Sequence, residues 1–428
     1  MLFKNISILN ERFEVERNVN VGVEEREISY IGKEMPERDF GEIYDGSGKL
    51  LMPAFYNAHA HSPMGLMRGY GENLSLQDWL NTRIFPFEDK LYDEAVYYAT
   101  LLAMAESLQF GIVSSSDMYY FCDAMVRAVE ESGAKANISR SITSFAEGSV
   151  KNSDSYREAE ELIRSCHGAA GGRILIDASI HAEYTNTLQS MEEVADLAKK
   201  YNVNMHVHVS ETKDEHENCK AKYRKTPARL LCDLGAFDVP ATAAHCVWAE
   251  ESDMEIFREK GVTVASCPVS NLKLASGVCD VPALLKKGVR VAIGTDSVAS
   301  NNSLNFIEEM KFFALLNKER HKDPTVITPA QTLYAASRAG ALSQGREDCG
   351  VLALGKRADL TVLDISRPHM RPVHDLVNSI VYSASGSDVV LTMADGRVLY
   401  RDGEFLTIDI EKTMAETEAA CGKILAAL

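Results

Sequence analysis

The sequence predicts an α/β protein built on a (β/α)8 TIM barrel, with a small β domain assembled from both chain termini. Three observations predict it. Between residues 54 and 349, apolar runs of strand length alternate with helical stretches, the pattern of a parallel sheet with crossover helices. Eight such runs occur, at 50–56, 111–118, 136–143, 173–180, 203–209, 241–246, 262–266 and 290–294, and eight is the number that closes a barrel. Toward both ends the alternation gives way to short segments punctuated by glycine turns.

Taken in order, Phe3–Leu9, Val19–Val23 and Ile28–Ile31 read as antiparallel strands, followed by Gly32, Gly41, Gly46 and Gly48. Alone they are too few to cover a sheet face. Partners of the same kind stand at the other end, at Ala358–Asp364, Val389–Met393 and Arg397–Arg401, so residues 1–53 and 350–428 are expected to form one composite domain around a barrel over 54–349. Helices are expected at Asp93–Gln109, Ala124–Glu131, Ser155–Cys166, Met191–Tyr201, Pro227–Leu234, Ser252–Lys260 and Val281–Lys287. A doubly wound open sheet is the alternative, but its Gly-Xaa-Gly-Xaa-Xaa-Gly fingerprint is absent.

Composition narrows the function. Lys and Arg number 45 against 62 Asp and Glu, a formal charge of −17 that repels nucleic-acid phosphate and anionic lipid. The nine cysteines are scattered with no Cys-Xaa-Xaa-Cys pair, which argues against a disulfide framework and a thiolate zinc site. No signal peptide is legible at Met1–Asn5, and the most apolar stretch, 101–113, is broken by Glu106 and Gln109. A cytoplasmic protein with a small-molecule partner is expected, with no nucleic acid or membrane partner, and compatible with a homo-oligomer.

In a barrel the site lies at the C-terminal ends of the strands, and metal-type side chains collect there. His59 and His61 end the first strand, His181 the fourth, His206 and His208 the fifth, His245 the sixth and Asp296 the eighth. Successive strand residues alternate faces, so His59 and His61 point the same way with Ala60 between them. A pair of packed histidines is the plainer alternative, because a zinc-type ion takes three or four ligands. His206 and His208 also share a face. The one nearer the strand end, His208, with Glu211 three residues on, is the expected ligand, and the reverse assignment stays open. Asp296 alone suits a helix N-cap; with His59, His61 and His208 it completes a three-nitrogen, one-oxygen shell that leaves room for water. His216, in an acidic run, is expected on solvated helix surface.

These residues carry a family resemblance. Met52-Pro53-Ala54-Phe55-Tyr56-Asn57-Ala58-His59-Ala60-His61, Leu66-Met67-Arg68-Gly69, Trp79-Leu80, His208-Val209-Ser210-Glu211-Thr212, Ala244-His245-Cys246-Val247, Ser270-Asn271-Leu272-Lys273-Leu274 and Gly294-Thr295-Asp296-Ser297-Val298-Ala299-Ser300-Asn301-Asn302 stand in an order that resembles the amidohydrolase superfamily. Its adenosine-type branch, the methylthioadenosine/S-adenosylhomocysteine deaminases, is the nearest match. The resemblance implies a barrel inserted in a β-sandwich made from both termini, and one divalent ion. Zinc is the usual ion, although iron, manganese and nickel also suit histidine and carboxylate. It implies hydrolytic deamination of an adenosine-like nucleoside, with Asp296 taking a water proton, His245 orienting the hydroxide and Glu211 moving protons to the ring and leaving amine. It further implies substrate contacts from Trp79, Glu88, Arg140, His181 and Ser300. The plainer alternatives are a packed His245 and Trp79, a core His181, and surface or loop positions for Glu211, Glu88, Arg140 and Ser300. A second arginine after the third strand, which the branch offers to an amino-acid tail, is missing; Lys151 and Arg157 are the nearby cations. Deamination or dechlorination of guanine, a pterin or an s-triazine, and a non-catalytic metal-binding barrel, are the competing readings.

Overall fold

A computed structural model describes residues 1–428. Five strands open the chain: β1 (Leu2–Leu9), β2 (Val15–Glu24), β3 (Glu27–Gly32), β4 (Ile43–Asp45) and β5 (Lys49–Pro53). The centre holds β6 (Phe55–Ala60), β7 (Ile112–Tyr119), β8 (Lys135–Arg140), β9 (Ile174–Ile176), β10 (Ala178–Ile180), β11 (Met205–Val209), β12 (Ala241–His245), β13 (Thr263–Ser266) and β14 (Arg290–Ile293). The chain closes with β15 (Leu360–Asp364), β16 (Val389–Ala394), β17 (Arg397–Arg401) and β18 (Glu404–Phe405).

The two termini share one nine-stranded sheet in the order β18-β17-β16-β15-β5-β1-β2-β3, with β4 paired to β1. Its seam is antiparallel, Leu360 opposite Pro53 and Asp364 opposite Lys49. Phe3, Ile6, Val19, Val21, Leu360 and Leu391 belong to a core separate from the larger central one.

The central strands form two parallel sheets, β6-β7-β8-β9 and β10-β11-β12-β13-β14. Isolated parallel bridges pair Ile142 with Ile180 at one junction and Ala60 with Asp296 at the other. Two expected strands prove to be split. Residues 50–56 do not make one barrel strand: the amide of Ala54 donates to Asp359 of the terminal sheet, whereas that of Phe55 donates to Gly111 of the parallel sheet. Residues 173–180 divide likewise, because Asp177 bonds the Ile138 carbonyl on one side and Ala178 the Asn204 carbonyl on the other. Apolarity runs unbroken through both changes of partner, so it cannot mark them.

The expected helices lie within a few residues of their expected bounds, among them Asp93–Gln109, Leu188–Tyr201 and Glu251–Lys260. Thr187 and Ser190 cap Leu188–Tyr201 reciprocally, satisfying two orphan donors at its start. The helix Ile410–Leu425 was not expected; its buried face is Thr413, Thr417, Ala420 and Ile424, too small and polar to stand out in sequence. No helix is long and apolar enough to cross a membrane.

The terminal sheet is tied to the parallel sheets by a buried ionic cluster. Lys135, opening β8, lies 2.6 Å from both Asp359 and Asp395, and the Tyr56 hydroxyl donates to Asp359. Two carboxylates and a phenol around one ammonium satisfy charges that would each be costly to bury alone.

Candidate active site and metal centre

The end of β14 reaches β6 because Gly294 has no side chain. A Cβ there would stand 2.8 Å from the Cβ of His59 and 3.0 Å from its backbone nitrogen, closer than real contacts allow. The approach is locked by exchange: the Asn57 amide donates to the Thr295 hydroxyl (2.7 Å), the Thr295 N–H to Asn57 (2.9 Å), and the Asp296 N–H to the His59 carbonyl (3.0 Å). Asp296 and His245 both take left-handed backbone, φ 61° and 71°. Such strain in non-glycine residues concentrates where side chains must be aimed.

Four ligand-type atoms converge. Oδ1 of Asp296 lies 3.5 Å from Nε2 of His59 and 3.3 Å from Nε2 of His61, and Nε2 of His61 lies 3.3 Å from Nε2 of His208. The outer ring nitrogens fix which lone pairs face inward. His61 donates through Nδ1 to the Met118 carbonyl and His208 through Nδ1 to the His181 carbonyl, each at 2.6 Å, so each presents an unprotonated Nε2. His59 turns Nδ1 to Nε2 of His206 at 2.9 Å and leaves its own buried Nε2 without a hydrogen-bond partner. An orphaned nitrogen inside a ring of acceptors fits a cation, and three imidazoles with one carboxylate fit a zinc-type divalent ion. Burial holds the His59 imidazole down to about 3, neutral as a ligand requires.

His245 stands beside this group, its Nδ1 donating to Asn271 at 2.9 Å and its Nε2 3.9 Å from Glu211. Burial raises the Glu211 carboxyl above its ordinary value. Burial also works against ionised Asp296, yet the imidazoles of His59, His61 and His245 gathered around it hold it well below the usual carboxylate range. Ser270 and Ser300 donate to its other oxygen at 2.5 and 3.0 Å. Glu211 and Asp296 are thus carboxyls pushed in opposite directions, the arrangement that separates an acid from a base.

The loop that carries Glu211 is held by Glu215, whose carboxylate accepts the N–H of Ser210 at 2.6 Å and of Glu211 at 2.7 Å. His216 is not on solvated surface as expected. It is 2% exposed, because its ring bridges Ser210 at 3.0 Å and Glu250 at 3.2 Å beneath the same loop.

A cleft of about 630 Å³, open mouth included, rises above these groups. One face of the continuous helical segment 76–88 walls it with Leu76, Trp79, Leu80, Ile84, Phe85 and Glu88. Of the expected substrate contacts, Trp79, Glu88, His181 and Ser300 line the cleft. Burial pushes the Glu88 carboxyl up to about 7 and the His181 imidazole down to about 4. Arg140 stands apart from these four. It lines a neighbouring cleft instead, drawn there by Glu158 at 2.6 Å and the Ser141 carbonyl, with its guanidinium 4.9 Å from the Tyr120 ring centre.

Sequence reasoning did not single out Asn271, Ser270, Tyr119 or Glu215. Ser270 and Asn271 open the Ser270-Asn271-Leu272-Lys273-Leu274 segment, and Thr212 with Glu215 has capping-box spacing. Tyr119 carried no such signal.

Comparison with known proteins accords with this geometry. The family model described as Amidohydrolase family matches residues 50–399. A 5-methylthioadenosine/S-adenosylhomocysteine deaminase of Thermoanaerobacter pseudethanolicus is 38% identical over 421 residues, 98% of this chain and 97% of that one. A 5′-deoxyadenosine deaminase of Methanosarcina mazei is 38% identical, covering 95% of this chain and 93% of its own. Among solved structures, an adenosine deaminase from Xanthomonas campestris with bound zinc superposes with a TM-score of 0.93 at 30% identity, covering 99% of this chain and 98% of that one. With a family model over residues 50–399 and relatives matched along nearly the whole length, this chain belongs to the amidohydrolase family.

Proposed function

We propose that this protein is a metal-dependent hydrolytic deaminase of adenosine-like nucleosides, replacing the 6-amino group by water to give the inosine analogue and ammonia. The observation that carries the reading is the convergence of His59, His61, His208 and Asp296 beside Glu211 and His245 at the floor of a largely apolar cleft. Relatives named for deamination of methylthioadenosine, S-adenosylhomocysteine and 5′-deoxyadenosine, at 37–41% identity, support the substrate class. The two parallel sheets, with bridges at both junctions, support one closed (β/α)8 barrel over residues 54–349. The shared terminal sheet and its separate core support a β-sandwich domain from 1–53 and 350–428. We further infer a cytoplasmic location, consistent with nine free cysteines.

His59, His61, His208 and Asp296 would hold one divalent ion, most simply zinc. Such an ion supplies Lewis acidity and brings the pKa of a water it holds to about 7. The residues do the rest. Asp296, kept ionised, accepts the water proton, while Ser270 and Ser300 steady its second oxygen. His245, its Nδ1 anchored on Asn271, orients the attacking oxygen through Nε2. Glu211, whose carboxyl burial raises, donates to a ring nitrogen and carries protons onward to the departing amine. Trp79 and the neighbouring apolar wall exclude water from the purine face, and Glu88 accepts from the sugar hydroxyls.

Ammonia release from a panel of adenosine, 5′-deoxyadenosine, methylthioadenosine, guanine, a pterin and an s-triazine tests the reaction. Activity on the last three with none on an adenosine derivative would overturn it. Glu211→Gln is expected to retain metal and lose turnover, and Asp296→Asn to impair both; normal rates in either variant would remove the roles given.

A further inference from the structure

Three segments that the sequence singles out, Leu66-Met67-Arg68-Gly69, Ser270-Asn271-Leu272-Lys273-Leu274 and the run through Ser297-Val298-Ala299-Ser300-Asn301-Asn302, meet beside the cleft through Arg68, Lys273 and Asn302. None of these three has a part in the chemistry above. Lys273 is where the segments join. Its ammonium has three N–H donors, and each finds an acceptor on a different residue: the Ala299 carbonyl at 3.2 Å, the Asn302 side-chain oxygen, and the Glu72 carboxylate at 2.8 Å. Arg68 grips Asn302 from its other end, donating to the backbone carbonyl at 2.6 Å. Glu106 holds Arg68 in turn and also accepts the Leu304 N–H at 3.0 Å.

The span of Lys273 bears on Asp296. Ser270 stands on the helix Pro268–Lys273 and Ser300 on the helix Val298–Asn301, and both donate to the same oxygen of Asp296, with their own oxygens 2.8 Å apart. Helices of six and four residues do not hold their own place, since even isolated helices of about 12–15 residues are marginal in water. Lys273 closes the first helix and bonds the end of the second, so one ammonium sets the separation of the two serines. Its bond to Glu72 is of another kind. That ion pair joins side chains 26% and 38% exposed, where such pairs contribute little.

Resting on the deaminase reading above, we propose that Lys273 is a positioning residue for Asp296. Through Ala299 and Asn302 it fixes the helix that carries Ser300 against the helix that carries Ser270. The two serines then hold the Asp296 carboxylate in the direction from which it accepts the water proton.

The test compares Lys273→Met with wild type on whichever adenosine derivative of the panel is used best. Zinc content is determined on the same preparations, and amide hydrogen exchange is followed over residues 298–304. The variant is expected to lose about tenfold in kcat through misplacement of the base, with KM within about twofold and zinc content unchanged. Exchange over 298–304 should quicken at least about tenfold. Asn302→Gly accepts the same left-handed backbone (φ 74°) and removes the acceptor, so it should reproduce the loss even if Lys273→Met fails to fold. Glu72→Gln should leave kcat within about twofold of wild type. In a Ser270→Ala, Ser300→Ala background Lys273→Met should cost nothing further, because the groups through which it acts are gone. A wild-type kcat in Asn302→Gly, unchanged exchange in Lys273→Met, an equal loss in Glu72→Gln, or an undiminished loss without the serines overturns the positioning role while the deaminase reading stands. Absence of ammonia from every adenosine derivative with the wild-type enzyme overturns both.

Discussion

Glu215 touches neither the candidate metal ligands nor the cleft, yet it holds the loop on which Glu211 stands. Its two oxygens accept the amides of Ser210 and Glu211 at 2.6 and 2.7 Å, and Ser210 sits at a left-handed φ of 50° that this clamp stabilises. Glu215→Gln conserves volume but turns one accepting oxygen into an NH2 that faces a backbone N–H. Burial raises the Glu215 carboxyl to about 7, so the comparison is made above that pH, where both oxygens accept as a carboxylate; a hydrogen bond to a charged group contributes about 1.5–3 kcal/mol, and the loop loses about 2 kcal/mol of restraint. If that loss is felt where Glu211 must meet the ring nitrogen, kcat falls about thirtyfold, at about 1.36 kcal/mol per factor of ten. Steady-state ammonia release would measure it, with metal content and thermal unfolding determined on the same preparations. KM within about twofold of wild type and unchanged metal stoichiometry are expected, since the substituted group contacts neither substrate nor ligand shell. A wild-type kcat, or a loss that merely tracks lost metal, would refute a positioning role for Glu215.

Two further outcomes follow from the packing. Gly294→Ala forces a methyl against His59, whose Cβ would lie 2.8 Å away, so the variant should bind less metal while keeping its helical content; full metal occupancy by elemental analysis would contradict the close approach of β14 to β6. Glu309 is buried, accepts from Asn301 and the Val269 N–H, and has its carboxyl pushed up to about 8 by burial. A carboxyl with a raised folded-state pKa contributes stability that is complete below its ordinary value of about 4.5 and is lost as pH rises through about 8. Glu309→Gln should therefore unfold near the wild-type temperature at pH 5 and gain on it steadily toward pH 8, whereas a constant difference across that range would show that Glu309 does not carry its proton in the fold.

The ends of the strands were legible because their signals are local. Alternation places His59 and His61 on one face whatever surrounds them, and an apolar run closed by Gly294-Thr295-Asp296 marks a strand end by itself. The Thr212–Glu215 spacing likewise announces a helix start. Arg140 was legible only as a residue at a strand end. Its direction depends on Glu158, whose helix packs beside β8, and on the face of Tyr120. His216 misled for a similar reason: charged neighbours on its own helix suggested solvent, while Ser210 and Glu250 from other segments bury it.

What the sequence by itself determined is therefore the set of chemical groups and the order in which strands deliver them, since both follow from periodicity along one chain. Tertiary structure alone decided depth and partner. Two histidines on the same face of β11 are equivalent by alternation, and only the approach of β6 separates them: His208 meets His61 at 3.3 Å in the ring of ligand-type atoms, and His206 supports His59 from behind at 2.9 Å. The same holds where one apolar run serves two sheets at Ala54 and Phe55, because a backbone amide chooses its acceptor from whatever strand lies alongside, and that neighbour is fixed by packing between residues far apart in the chain.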